Sequence, residues 1–138
     1  MEKIKLTLHH CGISVANMDK SIQWYEQILG FELMWCKDFP PIKTKIAFLT
    51  NGSLEIELFE AYDSKALPDE RRLPITDLQT QGTKHIAFQV KGIENLFKRF
   101  HTEGVDIVLG PIESPPKDGL FGFIRDPSGV LIEFLEKY

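Results

Sequence analysis

Residues 85–90 read His85-Ile86-Ala87-Phe88-Gln89-Val90, and they align without a gap on His10-Cys11-Gly12-Ile13-Ser14-Val15. In both stretches every second side chain is apolar, which is typical of a strand with one buried face. This alignment shifts the chain by 75 residues. If one further residue is inserted, residues 54–58 also align with residues 130–134. The chain therefore contains an internal repeat, and this repeat decides the predicted fold.

A helix is expected after the first strand of each copy. In the first copy, apolar residues fall at helical spacing between Asn17, a suitable N-cap, and Gly30, a suitable terminator. In the second copy the helical spacing begins at Ile93 and ends before Gly104. The remaining strands are predicted at 31–36, 44–50, 53–60, 105–109, 120–125 and 130–136.

The order strand, helix, strand, strand, strand thus occurs twice. We expect an α+β fold of two βαβββ modules, at about 5–61 and 83–137, in a single domain over 1–138. Residues 62–82 show no clean period and are interrupted by proline, so we interpret them as a connector. The helices are expected to cover the apolar face of each sheet.

The composition excludes several classes of function. The chain has 138 residues, with 16 Lys and Arg against 20 Asp and Glu and a formal net charge of −4, so it lacks the basic surface that nucleic-acid binding requires. No apolar run approaches the ~20 residues of a membrane span, and the N-terminus lacks the apolar block of a signal peptide. Cys11 and Cys36 lack metal-type spacing and are expected to be free thiols. We therefore expect a cytoplasmic domain with no nucleic-acid or membrane partner.

Two histidines and two glutamates occupy matched positions in the repeat. His10 matches His85, and Glu57 matches Glu133. Because the apolar residues that alternate with them should face the helix, all four side chains are expected on the opposite face of the sheet. Such a mixed nitrogen and oxygen set suits one divalent metal ion, without distinguishing nickel, cobalt, zinc, manganese and iron.

Each of these residues also has an ordinary interpretation. A lone strand histidine is usually a partly exposed polar residue, and we interpret His9 and His101 in this way. A lone strand glutamate such as Glu55 or Glu60 is usually solvated. Repetition of the same chemistry argues against that interpretation for the matched residues, and Glu133 lies in an apolar stretch where a carboxylate needs a charged partner or a metal.

The motifs of both modules have counterparts in a known family. They are His10-Cys11-Gly12-Ile13-Ser14-Val15, Asp19-Lys20-Ser21-Ile22-Gln23-Trp24-Tyr25, Leu29-Gly30-Phe31, Gly82-Thr83-Lys84-His85-Ile86-Ala87-Phe88 and Arg125-Asp126-Pro127-Ser128-Gly129-Val130-Leu131-Ile132-Glu133. Together they resemble the vicinal oxygen chelate superfamily, which holds glyoxalase, extradiol dioxygenase, methylmalonyl-CoA epimerase and the fosfomycin and bleomycin resistance proteins. The resemblance spans nearly the whole chain.

The resemblance carries a fold and a ligand set. It implies that the mixed sheets of the two modules curl into a cup around the metal, with the helices on the outer face. In the family the ligands come from the first and last strands of each module, which matches His10, Glu57, His85 and Glu133 here. It also implies a homodimer, since members often dimerise and some assemble each metal site across two chains.

A fourth ligand at Glu57 resembles the lyase and isomerase branch of the family. That branch includes lactoylglutathione lyase and, with a glutamine in place of Glu57, methylmalonyl-CoA epimerase. The resemblance implies a metal-dependent lyase or isomerase that moves a proton through a metal-bound enediolate of a small hydroxy-carbonyl or thioester substrate. Glu133 or Glu57 would be the general base and acid. Lactoylglutathione lyase has an arginine where this chain has Ser14, so a substrate other than a glutathione thioester fits as well.

Two other functions stay open. The extradiol dioxygenases and fosfomycin enzymes of the family use two histidines and one glutamate, which here would be His10, His85 and Glu133. An iron(II)-dependent ring-cleaving dioxygenase, with Glu57 only a neighbour of the metal, is therefore one alternative. The other is a non-catalytic resistance protein that sequesters an aromatic or antibiotic ligand, and the retained ligand set argues against it.

Overall fold

The computed structural model describes residues 1–138 in two compact units, Met1–Asp63 and Ser64–Tyr138. The first unit contains β1 (Cys11–Ser14), α1 (Met18–Leu29), β2 (Glu32–Phe39), β3 (Thr44–Asn51) and β4 (Leu54–Ala61). The second contains α2 (Pro74–Asp77), β5 (Ile86–Gln89), α3 (Ile93–Thr102), β6 (Asp106–Glu113), β7 (Gly119–Arg125) and β8 (Leu131–Lys137). The predicted α+β class and the two βαβββ modules are confirmed.

Each module forms a four-stranded mixed sheet of the same topology. The strand orders are β1-β4-β3-β2 and β5-β8-β7-β6. In both sheets the first strand pairs in parallel with the last, and the other pairs are antiparallel. A parallel pair needs a crossover connection, which begins with α1 in the first module and α3 in the second.

The ends of α1 are those that the sequence predicts. Asn17 Oδ1 accepts a hydrogen bond of 2.9 Å from the backbone N–H of Lys20, which satisfies one of the unpaired donors of the first turn. Gly30 closes the helix in the left-handed conformation, with φ of 68°, where a side chain would be strained. Asn17 and Gly30 therefore determine where α1 begins and ends through local interactions.

The helices pack on the apolar face of their own sheets. Met18 and Tyr25 of α1 are fully buried, as are Ile56 and Leu58 of β4. The second module buries matched positions, namely Ile93, Phe97, Phe100, Ile132 and Phe134. Because successive side chains of a strand point to opposite faces, the residues that alternate with these buried ones lie on the face of the sheet away from the helix.

A glutamate on the last strand of each module caps the helix of the same module, a role that the sequence analysis misses. Glu60, interpreted from the sequence as a solvated residue, accepts a hydrogen bond from the backbone N–H of Met18 at the start of α1. Glu136 accepts two such bonds, 2.8 Å from Gly92 N–H and 2.9 Å from Ile93 N–H, at the start of α3. The alignment that matches Glu57 with Glu133 also matches these two glutamates.

Two segments differ from the sequence prediction. Strand β6 continues through Pro111 to Glu113 instead of ending at residue 109. It is an edge strand, where a proline that lacks an N–H group is tolerated. Within the predicted connector, Asp69–Arg71 form a turn of 3₁₀ helix and Pro74–Asp77 form α2.

None of the helices has the length and apolar character needed to cross a membrane.

Candidate functional site

Each module brings one of its predicted histidines against one of its predicted glutamates. In the first module, Nε2 of His10 lies 3.1 Å from Oε2 of Glu57. In the second, Nε2 of His85 lies 2.9 Å from Oε2 of Glu133. We call these the module 1 pair and the module 2 pair. All four side chains are partly buried.

The parallel seam of each sheet explains why the pairs form. Gly12 is in register with Glu57 in the first sheet, and Ala87 is in register with Glu133 in the second. Each histidine lies two positions before the registered residue, so it points to the same face of the sheet as the glutamate. Since the offset is the same in both modules, the backbone places the two pairs in the same way.

A phenylalanine completes each pair. The ring of His10 meets Phe48 edge-on at 5.0 Å between centroids, and the ring of His85 meets Phe123 in the same way at 5.0 Å. The alignment that matches His10 with His85 also matches Phe48 with Phe123, so the repeat in the sequence already contains a signal for this contact. The edge-to-face contact holds each imidazole ring in a defined orientation.

The surroundings of the module 1 pair are aromatic and basic. Trp35 packs on Phe48 at 5.1 Å between centroids, and the ammonium group of Lys37 lies 5.8 Å from the centre of the Trp35 ring. Nδ1 of the exposed His9 lies 2.7 Å from Nδ1 of His10 and 3.7 Å from Oε2 of Glu55. Lys37 therefore places a positive charge on β2, the strand that also carries Trp35.

The module 2 pair lies in the wall of a cavity of about 530 Å³. The cavity is formed within the second unit by β7, β8, the residues around Pro115 and the connector helix α2. Its lining is mostly apolar, and His85 and Glu133 are among its polar members. A mostly apolar cavity of this size with a few convergent polar groups is typical of a small-molecule site.

The donor set of each pair fits a divalent metal ion. Two ligands about 2.1 Å from one ion, at roughly 90–110° to each other, lie about 3.0–3.4 Å apart. The separations of 3.1 Å and 2.9 Å between nitrogen and oxygen are close to this range. Imidazole nitrogen with carboxylate oxygen suits zinc, nickel, cobalt, manganese or iron(II). Within each unit no third His, Cys, Asp or Glu joins the pair to form a metal-ligating group.

The two cysteines do not contribute a reactive thiolate. Burial raises the pKa of the Cys11 thiol, and burial is also the largest influence raising the pKa of Cys36. Both are free thiols, as the sequence predicts. Since a thiolate is the nucleophile and metal ligand, a raised pKa makes these residues poor candidates for either role.

Comparisons with known proteins agree with the geometry. A family model described as "Glyoxalase/Bleomycin resistance protein/Dioxygenase superfamily" matches residues 7–134. A lactoylglutathione lyase from Neisseria meningitidis serogroup A is 29% identical to this chain, and the alignment covers 96% of this chain and 91% of that protein. A probable lactoylglutathione lyase from Synechocystis is 31% identical, with 94% of each chain covered. Among solved structures, a glyoxalase family protein from Enterococcus faecalis superposes with a TM-score of 0.81 at 25% identity, covering 94% of this chain and 97% of that one.

Proposed function

Since the chain belongs to the glyoxalase/bleomycin resistance protein/dioxygenase superfamily, as its motifs predict, we propose that it is a metal-dependent lyase or isomerase of the glyoxalase type. Its substrate would be a small compound with oxygens on adjacent carbons, either a hydroxy-carbonyl acid or a thioester. The repetition of the His–Glu–Phe arrangement in both modules is the observation that carries the proposal.

We propose His10, Glu57, His85 and Glu133 as the ligands of one divalent ion. When bound, such an ion supplies a Lewis acid that stabilises negative charge developing on the adjacent oxygens of the substrate. The near-equal separations of the two pairs support a set of four ligands over a set of three, because Glu57 stands to His10 as Glu133 stands to His85.

The glutamates are the proposed acid and base. A carboxylate oxygen of Glu133 or Glu57 would take the proton from the carbon next to the substrate carbonyl. The C–H electron pair would become a carbon–carbon double bond while the π pair of the carbonyl moves onto its oxygen. Return of the same proton to the neighbouring carbon, with the hydroxyl proton passing to the former carbonyl oxygen, or return to the other face of the first carbon, completes the isomerisation. The position of Glu133 in the cavity wall supports Glu133 as the base.

The substrate class is wider than glutathione adducts. Lactoylglutathione, which appears in the names of two relatives, is a 2-hydroxy thioester. This chain has Ser14 where the lyase has arginine, although Lys37 supplies a cation on the module 1 face. We therefore propose a 2-hydroxy-carbonyl or thioester substrate, and the thiol of a thioester substrate need not be glutathione.

Proton exchange with solvent is the decisive experiment. Protein purified without added metal is analysed for metal content, then supplied with the adducts that methylglyoxal forms with glutathione or with coenzyme A in deuterated water. We expect about one divalent ion per proposed site, a 2-hydroxy thioester product, and partial incorporation of deuterium at the 2-carbon, all without oxygen uptake. Glu55→Gln, a glutamate on the same strand as Glu57, is the matched control and should leave turnover intact.

Other outcomes distinguish the alternatives. Oxygen consumption with an aromatic diol would favour the iron(II)-dependent dioxygenase. Tight binding of an aromatic ligand by protein that holds no metal and ignores chelators would favour the resistance protein. Unchanged metal affinity in Glu57→Gln would remove the case for a fourth ligand.

A homodimer is part of the proposal, and complementation tests how its sites are built. Variants His10→Ala and His85→Ala are each expected to be inactive, and they are mixed after unfolding and refolding together. If each site combines modules of two chains, random dimers regain about a quarter of the wild-type activity, because half are mixed and each mixed dimer has one intact site. If each site lies within one chain, mixing restores nothing.

A further inference from the structure

The cavity beside the module 2 pair has walls that the repeat does not supply. One wall is formed by Pro74 and Ile75 of the connector helix α2 and by Leu78, which directly follows the helix. Strands β7 and β8 also contribute apolar side chains to the lining, namely Leu120, Phe121, Phe123 and Leu135. The connector therefore adds apolar surface next to His85 and Glu133.

Two of the connector residues are unusual for their exposure. Ile75 is 79% exposed and Leu78 is 65% exposed, although both line the cavity. The side chains of Ile75 and Leu78 are therefore accessible to a ligand and do not belong to the hydrophobic core. Exposed aliphatic side chains beside a polar pair are typical of the apolar wall of a small-molecule site.

The connector helix is fixed in place rather than loosely attached. Asp77 is only 1% exposed, and its Oδ1 accepts a hydrogen bond of 2.9 Å from Nε of Arg71 and one of 3.3 Å from Nζ of Lys84. Nη2 of Arg71 also donates to the carbonyl of Thr83 at 2.7 Å. A second tie comes from Arg125 of β7, whose Nε donates to the carbonyl of Arg72 at 2.8 Å. Ile75 and Leu78 are thus presented by a segment held from both ends.

The charges of the cavity do not favour an anionic group there. Nζ of Lys137, which lines the cavity, is 3.7 Å from Oδ2 of Asp118, another lining residue. His85 is paired with Glu133, and the carboxylate of Glu136 is occupied by the backbone N–H groups at the start of α3. Lys137 and His85 are thus each already paired with a carboxylate, so the uncharged part of a ligand fits best.

We infer that Ile75 and Leu78 are specificity-determining residues that bind an apolar side group of the substrate, larger than methyl, while its adjacent oxygens lie towards His85 and Glu133. The ligand is a 2-hydroxy-carbonyl compound with an aromatic or branched aliphatic group, and this choice of ligand class rests on the proposed function. An apolar pocket discriminates by about tenfold or more for each methylene group, so a phenyl group should be strongly preferred over a methyl group.

The test compares two probes that differ only in that group. Lactate and mandelate are both 2-hydroxy carboxylates, one with a methyl and the other with a phenyl substituent. Each is titrated into the full chain in the presence of Zn²⁺, and binding is followed by NMR of isotope-labelled isoleucine and leucine methyl groups. We expect mandelate to bind at least about tenfold more tightly than lactate, and to shift the methyl signals of Ile75 and Leu78 most.

Alanine variants test whether Ile75 and Leu78 cause the preference for mandelate over lactate. Ile75→Ala and Leu78→Ala should each reduce the preference for mandelate several-fold, by weakening mandelate binding more than lactate binding. Ile112→Ala is the matched control, because Ile112 is a partly exposed isoleucine of β6 that does not line the cavity. Equal binding of the two probes, binding of neither, or a preference that survives both alanine variants would overturn the inference.

The outcome is separable from that of the proposed function. Proton exchange by the wild-type chain without a mandelate preference would overturn only the assignment of Ile75 and Leu78. A mandelate preference in a protein that exchanges no substrate proton would leave the cavity assignment standing and overturn the proposed lyase or isomerase.

Discussion

The two modules carry the same arrangement of His, Glu and Phe but surround it differently. In the second module the pair lies in the wall of a cavity of about 530 Å³ that the connector helps to form. In the first module the pair is backed by Trp35 and Lys37. The residues suited to chemistry therefore occupy matched positions in the two modules, whereas the residues around each pair, which would select a ligand, differ between the modules.

The largest expected effect tests whether the two glutamates are equivalent. Glu133→Gln should lower the rate of the proposed proton transfer by about 10³-fold, since Glu133 lines the cavity and a positioned general base typically contributes 10²–10⁴. Glu57→Gln should lower it less and weaken metal binding instead. Single-turnover kinetics with saturating metal separates the two effects, and the opposite ranking would make Glu57 the base.

The next effect tests the connector that precedes the second module. Asp77→Asn removes a buried charge that two cations share, so we expect the free energy of unfolding at neutral pH to fall by about 3 kcal/mol. Urea unfolding measures this change. Asp69→Ala, an exposed aspartate of the same segment, is the control and should cost little.

The same cluster predicts a dependence on pH. Burial raises the pKa of Asp77, but the hydrogen bonds and charges of Arg71 and Lys84 lower it by more, so the net value lies below the usual one. A group with a depressed pKa in the folded protein stabilises the fold above its unfolded pKa and ceases to do so as the pH falls through the folded value. The stability difference between wild type and Asp77→Asn should therefore be full at about pH 6–7 and shrink below about pH 4. A difference that persists unchanged in strong acid would contradict the ion cluster.

A smaller effect compares the two capping glutamates. Helix α1 has its own cap at Asn17, whereas α3 begins after Gly92 and has no side-chain cap from its own N-cap residue. Glu60→Ala should therefore cost only about 0.5 kcal/mol, and Glu136→Ala should lower the urea midpoint by more. The N–H groups of Ile93 and Gly92 lower the pKa of Glu136, so its contribution should disappear at acid pH. Equal losses would show that the caps are interchangeable.

A comparably small effect, of opposite sign, concerns a position where helices α1 and α3 differ. Ser21 of α1 is 1% exposed and its hydroxyl oxygen has no hydrogen-bond partner, while the repeat places Leu96 at the matched position of α3. Ser21→Ala removes a buried unsatisfied group, so we expect the free energy of unfolding to rise by about 0.5–1 kcal/mol. Thermal unfolding of the variant checks this, and a loss of stability would mean that the hydroxyl has a partner in solution.

Sequence reasoning predicted what local chemistry and the repeat determine. Asn17 and Gly30 bound α1 because a capping side chain and a left-handed residue act locally. Parity predicted the shared face of His10 and Glu57 because a strand alternates strictly. Their role as metal ligands stays a prediction.

What escaped prediction depends on contacts between distant residues. Glu60 and Glu136 look like solvated strand residues until the helix that they cap is placed beside them. The short helix α2 has too few residues to show a period, and it is held by the ion cluster of Asp77. The phenylalanines at 48 and 123 could have been found, since they obey the same alignment as the histidines.

The parallel seam of each sheet has a consequence for folding and exchange. Strands β1 and β5 are short and pair only with the last strand of their module, so each seam closes a long loop, a step that loop-closure entropy makes slow. The histidine and glutamate of each pair meet only when that seam is closed. Hydrogen exchange of the backbone amides in β1 and β5 would therefore report the fraction of molecules with an assembled half-site. A ligand held by both residues would slow this exchange in proportion to its affinity.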